Sequence, residues 1–376
     1  MRKSVGGREE KEMSRLKGNR IGMHKNEIET PVLMVDLDVM ERNLKKMADF
    51  FKGVKAKLRP HTKSHKTPAL AHKQIEAGAI GICCGSLDEA QVMISAGIRD
   101  VLVTREIVLP GEITRVIGLA RHSELMIPVD NEEGAERISR AAEAKGVKIR
   151  TLVDVMTRLG RCGVPPGQPA LSLARRVNQM KGLRLMGLMG YEGSMHGWEA
   201  SKREATCREE LAILMDTKER VERDGMEVDI VSAGASSTYR VAGTYPGVTE
   251  VQAGSYLMMD GEYRSWFSEF EIALSVLTTV INRPSPMGVA TDAGKKKLTE
   301  DAGLPQPKEP GGMKVVALHE EHGILEPLDP HQKVKIGDKI EIIPSHGCTT
   351  FNLYDQVYGM RDDYLEVIWD VAARGT

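Results

Sequence analysis

Between residues 31 and 238 the chain repeats one pattern: a short apolar run typical of a β-strand, then a stretch with apolar residues at helical spacing. Strands that are apolar on both faces and alternate with helices are typical of a parallel sheet. The predicted strands span 31–36, 56–59, 81–84, 101–104, 125–129, 149–154, 183–191 and 228–232. Eight such units predict a (β/α)8 TIM-type barrel, with a doubly wound open sheet as the alternative.

The pattern changes after about residue 265. Apolar β-type runs at 271–280, 314–318, 339–343 and 365–369 are joined by Pro/Gly-rich connections without a long helix, which predicts a small antiparallel β domain. We therefore expect a loose N-terminal tail (1–29), a barrel (30–264) and a C-terminal β domain (265–376), which the first predicted strand could also join. The Lys/Pro/Gly-rich segment 295–312 is predicted to be an exposed excursion.

Charge and composition argue against several kinds of partner. The formal net charge of -1 provides no global field for nucleic acid or a membrane surface. The chain lacks an 18-residue apolar run for a transmembrane helix, and its first 29 residues lack the apolar core of a signal peptide. Five cysteines, with Cys83 and Cys84 adjacent in an apolar run, fit a reducing compartment. We expect a cytoplasmic protein that acts on small molecules.

The segment RPHTKSHK at 59–66 directly follows the second predicted strand. By its charge alone it is more typical of a solvated basic turn between a strand and a helix. However, a lysine that projects from the carboxyl end of a strand is held at the mouth of a pocket, as a Schiff-base enzyme requires. Lys63 is the candidate, and the other strand ends decide between the two interpretations.

Polar residues follow three further strands of the predicted barrel, where functional groups gather. Strand 6 leads to Arg161 and strand 7 to Tyr191 and His196, while strand 8 leads to GASST at 234–238. Exposed backbone N–H groups and hydroxyls in GASST suit a phosphate monoester, and QAGSY at 252–256 could close the same site. Each turn alone is typical of an ordinary βα loop. Together with the lysine they suggest pyridoxal 5′-phosphate (PLP) as cofactor.

The segment PSHGC at 344–348 ends a predicted strand of the β domain. Its His346 and Cys348 are two ligands that suit Zn²⁺, and other first-row ions are also compatible. Two protein ligands leave positions for water and substrate. An isolated His-x-Cys pair is more often a buried cysteine beside a surface histidine, so the metal interpretation needs support from the rest of the chain.

These motifs together resemble the fold-type III PLP enzymes of the D-threonine aldolase and D-serine dehydratase group, which share the alanine racemase-like barrel. The resemblance rests on RPHTKSHK (59–66), GRCGV (160–164), YEGSMH (191–196), GSY (254–256) and the His-x-Cys pair, and it covers nearly everything from 30 to 370. It implies that Lys63 bonds covalently to the cofactor, with His61, Arg161 and Tyr191 around it. It further implies a phosphate site made by Gly234, Ser236, Gly254, Ser255 and Tyr256.

The resemblance also implies a divalent ion (Zn, Mn, Mg or Co) on His346 and Cys348 that ligates the substrate β-hydroxyl. His196 is the predicted base near that hydroxyl. A scaffold of this kind can cleave a D-3-hydroxy amino acid to glycine and an aldehyde, or eliminate its β-hydroxyl to give a keto acid and ammonia. The family is usually dimeric, so we expect a homodimer, with His346 reaching the Lys63 pocket within one chain or across the dimer.

The barrel motifs GRCGV and EVQAGSY (250–256) look more like the aldolases, whereas Cys348 looks more like the dehydratases. We therefore predict a D-threonine aldolase, with a D-serine or 3-hydroxy-D-aspartate dehydratase as the alternative. A PLP-carrier protein or a metal-independent racemase are minor alternatives, because neither explains His346 and Cys348 in a C-terminal β domain.

Overall fold

The computed structural model describes residues 20–193 and 195–376, which form two compact units. One unit, here called the β unit, contains the described residues up to Asn43 together with Leu257–Arg264 and Phe270–Gly375. The other, the barrel unit, contains Leu44–Tyr256, Ser265–Glu269 and Thr376. Residues 1–19 of the predicted tail lie outside the described ranges.

The first strand, β1 (Val32–Asp36), corrects one expectation. It was counted as a barrel strand, but it pairs antiparallel with a strand that begins at Leu274 and parallel with one that begins at Gln356. Its residues 33–35 are buried. A strand buried on both faces has the same apolar pattern in either sheet, so only its hydrogen-bond partners distinguish the two positions.

The barrel prediction itself is confirmed. Its eight parallel strands are β2 (Lys57–Leu58), β3 (Ile82–Cys84), β4 (Asp100–Val103), β5 (Glu124–Val129), β6 (Ile149–Asp154), β7 (Leu183–Met189), β8 (Ile230–Ala233) and β9 (Glu250–Val251). They are hydrogen-bonded in the order β2-β9-β8-β7-β6-β5-β4-β3, and a parallel bridge between His61 and Cys83 joins the two ends. The last of them, β9, is a two-residue strand that the sequence pattern had not counted in the barrel.

Helices separate these strands, and several begin at a residue that favours a helix start. Ser86 accepts a hydrogen bond from the Glu89 N–H, and Asn131 accepts one from the Gly134 N–H, so each side chain caps a helix N-terminus. The helices are α1 (Leu37–Lys52), α2 (Pro68–Glu76), α3 (Leu87–Ser95), α4 (Pro110–Ala120), α5 (Glu132–Glu143), α6 (Gln168–Gln179), α7 (Ala200–Arg223), α8 (Tyr239–Thr244), α9 (Gly261–Trp266) and α10 (Gly347–Phe351).

Side chains from five neighbouring barrel strands pack into one buried cluster. Its members are Cys83, Leu102, Met126, Leu152, Met186 and Met189. Because apolar side chains fill the barrel, its polar groups are found beyond the strand ends, where the βα loops begin.

The β unit is built around β1 and eight further strands. The further strands are β10 (Leu274–Ser285), β11 (Gly288–Thr291), β12 (Gln306–Glu309), β13 (Met313–Leu318), β14 (Gly323–Pro327), β15 (Lys339–Ile343), β16 (Gln356–Arg361) and β17 (Tyr364–Asp370). The longest, β10, pairs with β1, β11 and β15. A buried cluster that includes Met34, Leu277 and Tyr358 packs on this sheet. In the two described ranges, none of the helices has the length and hydrophobicity needed to cross a membrane.

The segment 295–312 is more integrated than its composition suggested. Its Leu298 is fully buried, and β12 pairs antiparallel with β15. The expectation of a simple exposed excursion is therefore wrong for part of the segment, because apolar burial and strand pairing hold it on the β unit.

Candidate active site

Lys63 lies in a short 3-10 turn (Thr62–Ser64) just beyond β2. Its neighbours in the turn, Thr62 and Ser64, are buried, whereas Lys63 is exposed. The Thr62 hydroxyl lies within hydrogen-bond distance of two acceptors, the carbonyl oxygen of Cys83 at 3.0 Å and the Glu89 carboxyl group. The turn is therefore anchored by the side chains on either side of Lys63 while its amine is left accessible.

His61 adds to this anchoring without adding positive charge. Its Nδ1 accepts a hydrogen bond from the backbone N–H of Lys63 at 3.4 Å, and its Nε2 lies 3.1 Å from the Thr104 hydroxyl. Burial, followed by the nearby Lys63 ammonium, lowers the pKa of His61 well below its usual range. The ring is therefore a neutral imidazole beside the Lys63 amine.

A cavity of about 400 Å³ brings together four of the predicted cofactor residues: His61, Lys63, Arg161 and Tyr191. The Lys63 Nζ lies 6.0 Å from the centroid of the Tyr191 ring, and the Arg161 guanidinium carbon lies 5.7 Å from it. The other residues that line the cavity are Gly85, Thr104, Arg105, Glu106, Asp154, Cys162, Met189 and Gln252. An amine, a guanidinium and an aromatic ring around one cavity are suitable groups for an anionic aromatic aldehyde such as PLP.

Two carboxyl groups of this cavity were not predicted. Asp154 ends β6 and is mostly buried, and Glu106 lies beside it. Burial contributes most to raising the pKa of Asp154 to about 8, and the proximity of Glu106 raises it further. Sequence reasoning named Asp154 only as a strand end, because a single Asp gives no indication of a second carboxyl brought close by another strand.

Glu192 organises the loop that follows β8, and its role was also missed. Its buried carboxylate accepts hydrogen bonds from the Gly234 N–H at 2.8 Å and the Thr238 hydroxyl at 2.7 Å. The Cys207 thiol lies at 3.6 Å from the same group. Thr238 in turn accepts from the Ala235 N–H at 2.9 Å. The turn 234–238, which follows β8, therefore takes its shape from the carboxylate of Glu192, which lies just beyond β7.

The two predicted phosphate-binding turns lie side by side. The Ser236 hydroxyl accepts a hydrogen bond from the Tyr256 N–H at 3.0 Å, so the turn after β8 contacts the Ser255–Leu257 turn after β9. A Cβ on Gly254 would lie 2.5 Å from the carbonyl oxygen of His61. Only glycine allows this approach, which brings the predicted phosphate turns against the segment that carries Lys63.

His196 lies apart from these groups. Its imidazole is exposed and packs edge-on against Trp266, with ring centroids 5.3 Å apart. Among the described residues, those that line the cavity do not include His196.

In the β unit, His346 and Cys348 lie at the start of α10. His346 is its N-terminal cap residue, and its Nδ1 lies 2.6 Å from the Asp301 carboxylate. A hydrogen bond with Cys348 contributes most to raising the pKa of His346 to about 10, and Asp301 adds to the effect. In the part of the chain that the structure describes, no group of three or more His, Cys, Asp or Glu side chains could hold a metal ion. The imidazole and thiolate are two soft or borderline donors, which fits a zinc-type ion with open positions.

The structure combines a parallel barrel with an accessible lysine just beyond a strand, and aromatic and cationic groups lie around that lysine. These features define the class of PLP enzymes with an alanine racemase-like barrel. The family model for the alanine racemase N-terminal domain matches residues 35–261, and that for a putative serine dehydratase domain matches residues 273–360. The chain belongs to this fold-type III PLP family, whose other members include D-threonine aldolases and hydroxyaspartate dehydratases.

Relatives and solved structures agree over almost the whole chain. A D-threonine aldolase from Arthrobacter sp. is 34% identical over 353 residues, which are 93% of this chain and 93% of the relative. The structure of a D-threonine aldolase from Filomicrobium marinum superposes with a TM-score of 0.92 at 35% identity and covers 95% of this chain and 98% of that one. A D-threo-3-hydroxyaspartate dehydratase from Delftia sp. HT23 superposes with a TM-score of 0.86 at 27% identity, covering 92% and 98%.

Proposed function

We propose that this enzyme is a PLP- and divalent-metal-dependent D-threonine aldolase that cleaves D-3-hydroxy amino acids to glycine and an aldehyde. The observation that supports it most is the agreement with two D-threonine aldolases, one over 93% of this chain in sequence and one at a TM-score of 0.92 in structure. The residues of the cavity and of the His346 turn are compatible with the chemistry that this cleavage requires.

When bound, PLP supplies an electron sink for charge at the substrate Cα, and a divalent ion lowers the pKa of a coordinated hydroxyl. We assign covalent attachment of the cofactor to the Lys63 amine. The neutral His61 ring holds the backbone N–H of Lys63 and leaves the amine as the accessible nucleophile. Arg161 would neutralise a ring oxygen, and Tyr191 would flank the ring.

For the phosphate, we assign the adjoining turns that contain Ser236, Gly254, Ser255 and Tyr256. Gly234, the fifth residue predicted for this site, donates its N–H to Glu192. Its φ of +86° is a left-handed conformation that favours glycine. We therefore propose that Gly234 contributes to the phosphate site through the shape of the turn.

We propose His346 and Cys348 as the metal ligands and His196 as the base near the β-hydroxyl. Support for the ligand pair comes from the donor chemistry and from a D-threo-3-hydroxyaspartate dehydratase. Structures of that protein include a histidine-to-alanine variant and a variant of a cysteine two positions later, the latter solved in a metal-free form. The spacing of those two positions equals the spacing of His346 and Cys348.

The same cysteine favours a second candidate function. A D-serine or 3-hydroxy-D-aspartate dehydratase would use the same cavity to eliminate the β-hydroxyl. This alternative rests on Cys348, which stands two positions after His346, the spacing of the two substituted positions in the dehydratase variants. The products distinguish the two functions, because only cleavage releases glycine and only elimination releases ammonia.

Substitution of the assigned residues tests the two parts of the site separately. Lys63→Ala should abolish the absorbance of the bound cofactor near the visible edge, since its covalent link is lost. A borohydride-reduced adduct at Lys66 would contradict the assignment. Cys348→Ala should retain that absorbance and lose metal-dependent turnover, and full activity of the wild-type enzyme in chelator would contradict the metal role.

We further propose that the enzyme is a homodimer in a reducing, cytoplasmic compartment. All five cysteines are unpaired in the structure, which is compatible with such a compartment. Dimers formed by mixing the Lys63→Ala variant with the Cys348→Ala variant test whether each active site uses residues from one chain or from both. If each site uses residues from both chains, mixing the two inactive variants should restore about a quarter of wild-type activity per dimer, because half of the dimers are mixed and each has one intact site. No recovery would assign both groups to one chain.

A further inference from the structure

The turn that carries His346 is held by a segment that no motif identified. Thr299 lies in the segment 295–312, and its hydroxyl is 2.8 Å from that of Thr349 and 3.1 Å from that of Thr350. The Ser345 hydroxyl donates to the carbonyl oxygen of Thr299 at 3.0 Å. These contacts place the backbone of residues 299–301 directly beside the His-x-Cys turn.

Asp301 uses both of its carboxylate oxygens on this turn. Its Oδ2 lies 2.6 Å from Nδ1 of His346, and its Oδ1 accepts a hydrogen bond from the Thr349 hydroxyl at 2.9 Å. A carboxylate that is held at one oxygen by Thr349 presents the other oxygen to the imidazole in a defined direction. The His346 ring is thereby held with Nδ1 toward Asp301, which leaves Nε2 as the nitrogen that can bind a metal.

We propose that Asp301 is a positioning residue for the metal: it fixes the orientation and tautomer of His346 and so sets the affinity of the His346–Cys348 pair for a divalent cation. This inference rests on the proposed metal site. A histidine ligand commonly donates its second ring N–H to a carboxylate, which fixes the ring and makes the ligating nitrogen more basic. Asp301 supplies that carboxylate from outside the His-x-Cys motif.

The carboxylate of Asp301 is not needed to hold the fold together. Its side chain is 44% exposed, and exposed ion pairs contribute little to stability. The contacts of Thr299 and Ser345 hold the segment to the turn without the carboxylate. Replacing Asp301 should therefore leave the fold intact and remove only its contacts with the His346 imidazole and the Thr349 hydroxyl.

The test is a Co²⁺ titration of the metal-stripped, PLP-loaded enzyme, read by the thiolate-to-Co²⁺ absorption band that Cys348 would produce. Asp301→Ala should weaken Co²⁺ binding about 10- to 100-fold, the usual effect of losing such a partner. Asp301→Asn should lie between Asp301→Ala and wild type, because the amide oxygen still accepts from Nδ1–H. The matched control is Glu300→Gln, which removes an adjacent, exposed charge paired with Lys295 and should bind Co²⁺ as wild type does.

The outcomes separate this inference from the proposed function. If the wild-type enzyme gives no Cys348-dependent Co²⁺ band, the metal site itself is wrong. If wild type gives the band and Asp301→Ala binds Co²⁺ with unchanged affinity, the metal site stands and the positioning role of Asp301 is refuted. An equal loss in Glu300→Gln would also refute it, since the effect would then be one of net charge. The cofactor absorbance, unchanged in all variants, controls for folding.

Discussion

The buried carboxylate of Glu192 allows a quantitative test of how the cofactor loops are built. Glu192 is only 2% exposed. One of its oxygens accepts the Gly234 N–H, and the other accepts the Thr238 hydroxyl and faces the Cys207 thiol. Burial removes the hydration of this group and so raises the pKa of Glu192, while the hydrogen bonds from Thr238 and Gly234 oppose that rise.

Glu192→Ala removes the acceptor of two buried donors. Gly234 and Thr238 would each be left with an unsatisfied buried group, at about 1–3 kcal/mol apiece, so the free energy of unfolding should fall by about 2–6 kcal/mol. Glu192→Gln retains one acceptor oxygen but presents amide hydrogens to the other donors, so about half of that loss is expected. Because the loop carries Ser236, the affinity of the apoenzyme for PLP should fall as well.

The assay is urea unfolding of the apoenzyme followed by circular dichroism, together with a PLP titration followed by absorbance. Glu209→Ala is the control, because Glu209 is an exposed carboxylate on α7, and its free energy of unfolding should change by no more than about 0.5 kcal/mol. A loss below about 1 kcal/mol for Glu192→Ala, with wild-type PLP affinity, would refute the claim that this carboxylate organises the turn.

Three further predictions concern other side chains of the enzyme. Arg59→Met should lower the free energy of unfolding in urea by about 3–5 kcal/mol, because it leaves two carboxylates without their cation. The Arg59 guanidinium lies 2.9 Å from Glu250 and 2.7 Å from Asp100. An unchanged free energy of unfolding would contradict this. The raised pKa of Asp154 means that its contribution to stability is complete below pH 4 and declines as pH rises toward about 8. Asp154→Asn should therefore flatten the pH dependence of unfolding in that window, and an unchanged slope would show that the group titrates normally. Cys348→Asp should retain a metal site but shift its preference from Zn²⁺ toward Mn²⁺ in competition titrations, because a carboxylate replaces the thiolate; an unchanged preference would show that Cys348 is not a ligand.

The barrel was predictable because its strands and helices alternate with a clear period. The location of Lys63 just beyond a barrel strand was predictable because its motif begins where an apolar run ends. The convergence of Arg161 and Tyr191 on the same cavity also followed from topology, since the carboxyl ends of barrel strands meet at one rim. By contrast, β1 was assigned to the wrong sheet. Its apolar pattern records burial but not its pairing with β10 and β16, which are distant in sequence.

The carboxylates Glu106, Glu192 and Asp301 were missed for a common reason. An acidic residue next to a turn is usually solvated, and its sequence neighbours do not reveal a partner supplied by a distant part of the chain. The partners are distant along the chain: Gly234 for Glu192 and His346 for Asp301. The apolar β7 run, which ends at Met189 three residues before Glu192, was the only local indication that this side chain would be buried.

The central claim is the reaction, and product analysis tests it most directly. Purified enzyme with PLP and either Mn²⁺ or Zn²⁺ would be incubated with D-threonine and, in parallel, D-serine, with the Lys63→Ala variant as a blank. We expect equal amounts of glycine and acetaldehyde from D-threonine. Ammonia with a 2-keto acid, and no glycine, would contradict the aldolase and establish the dehydratase alternative.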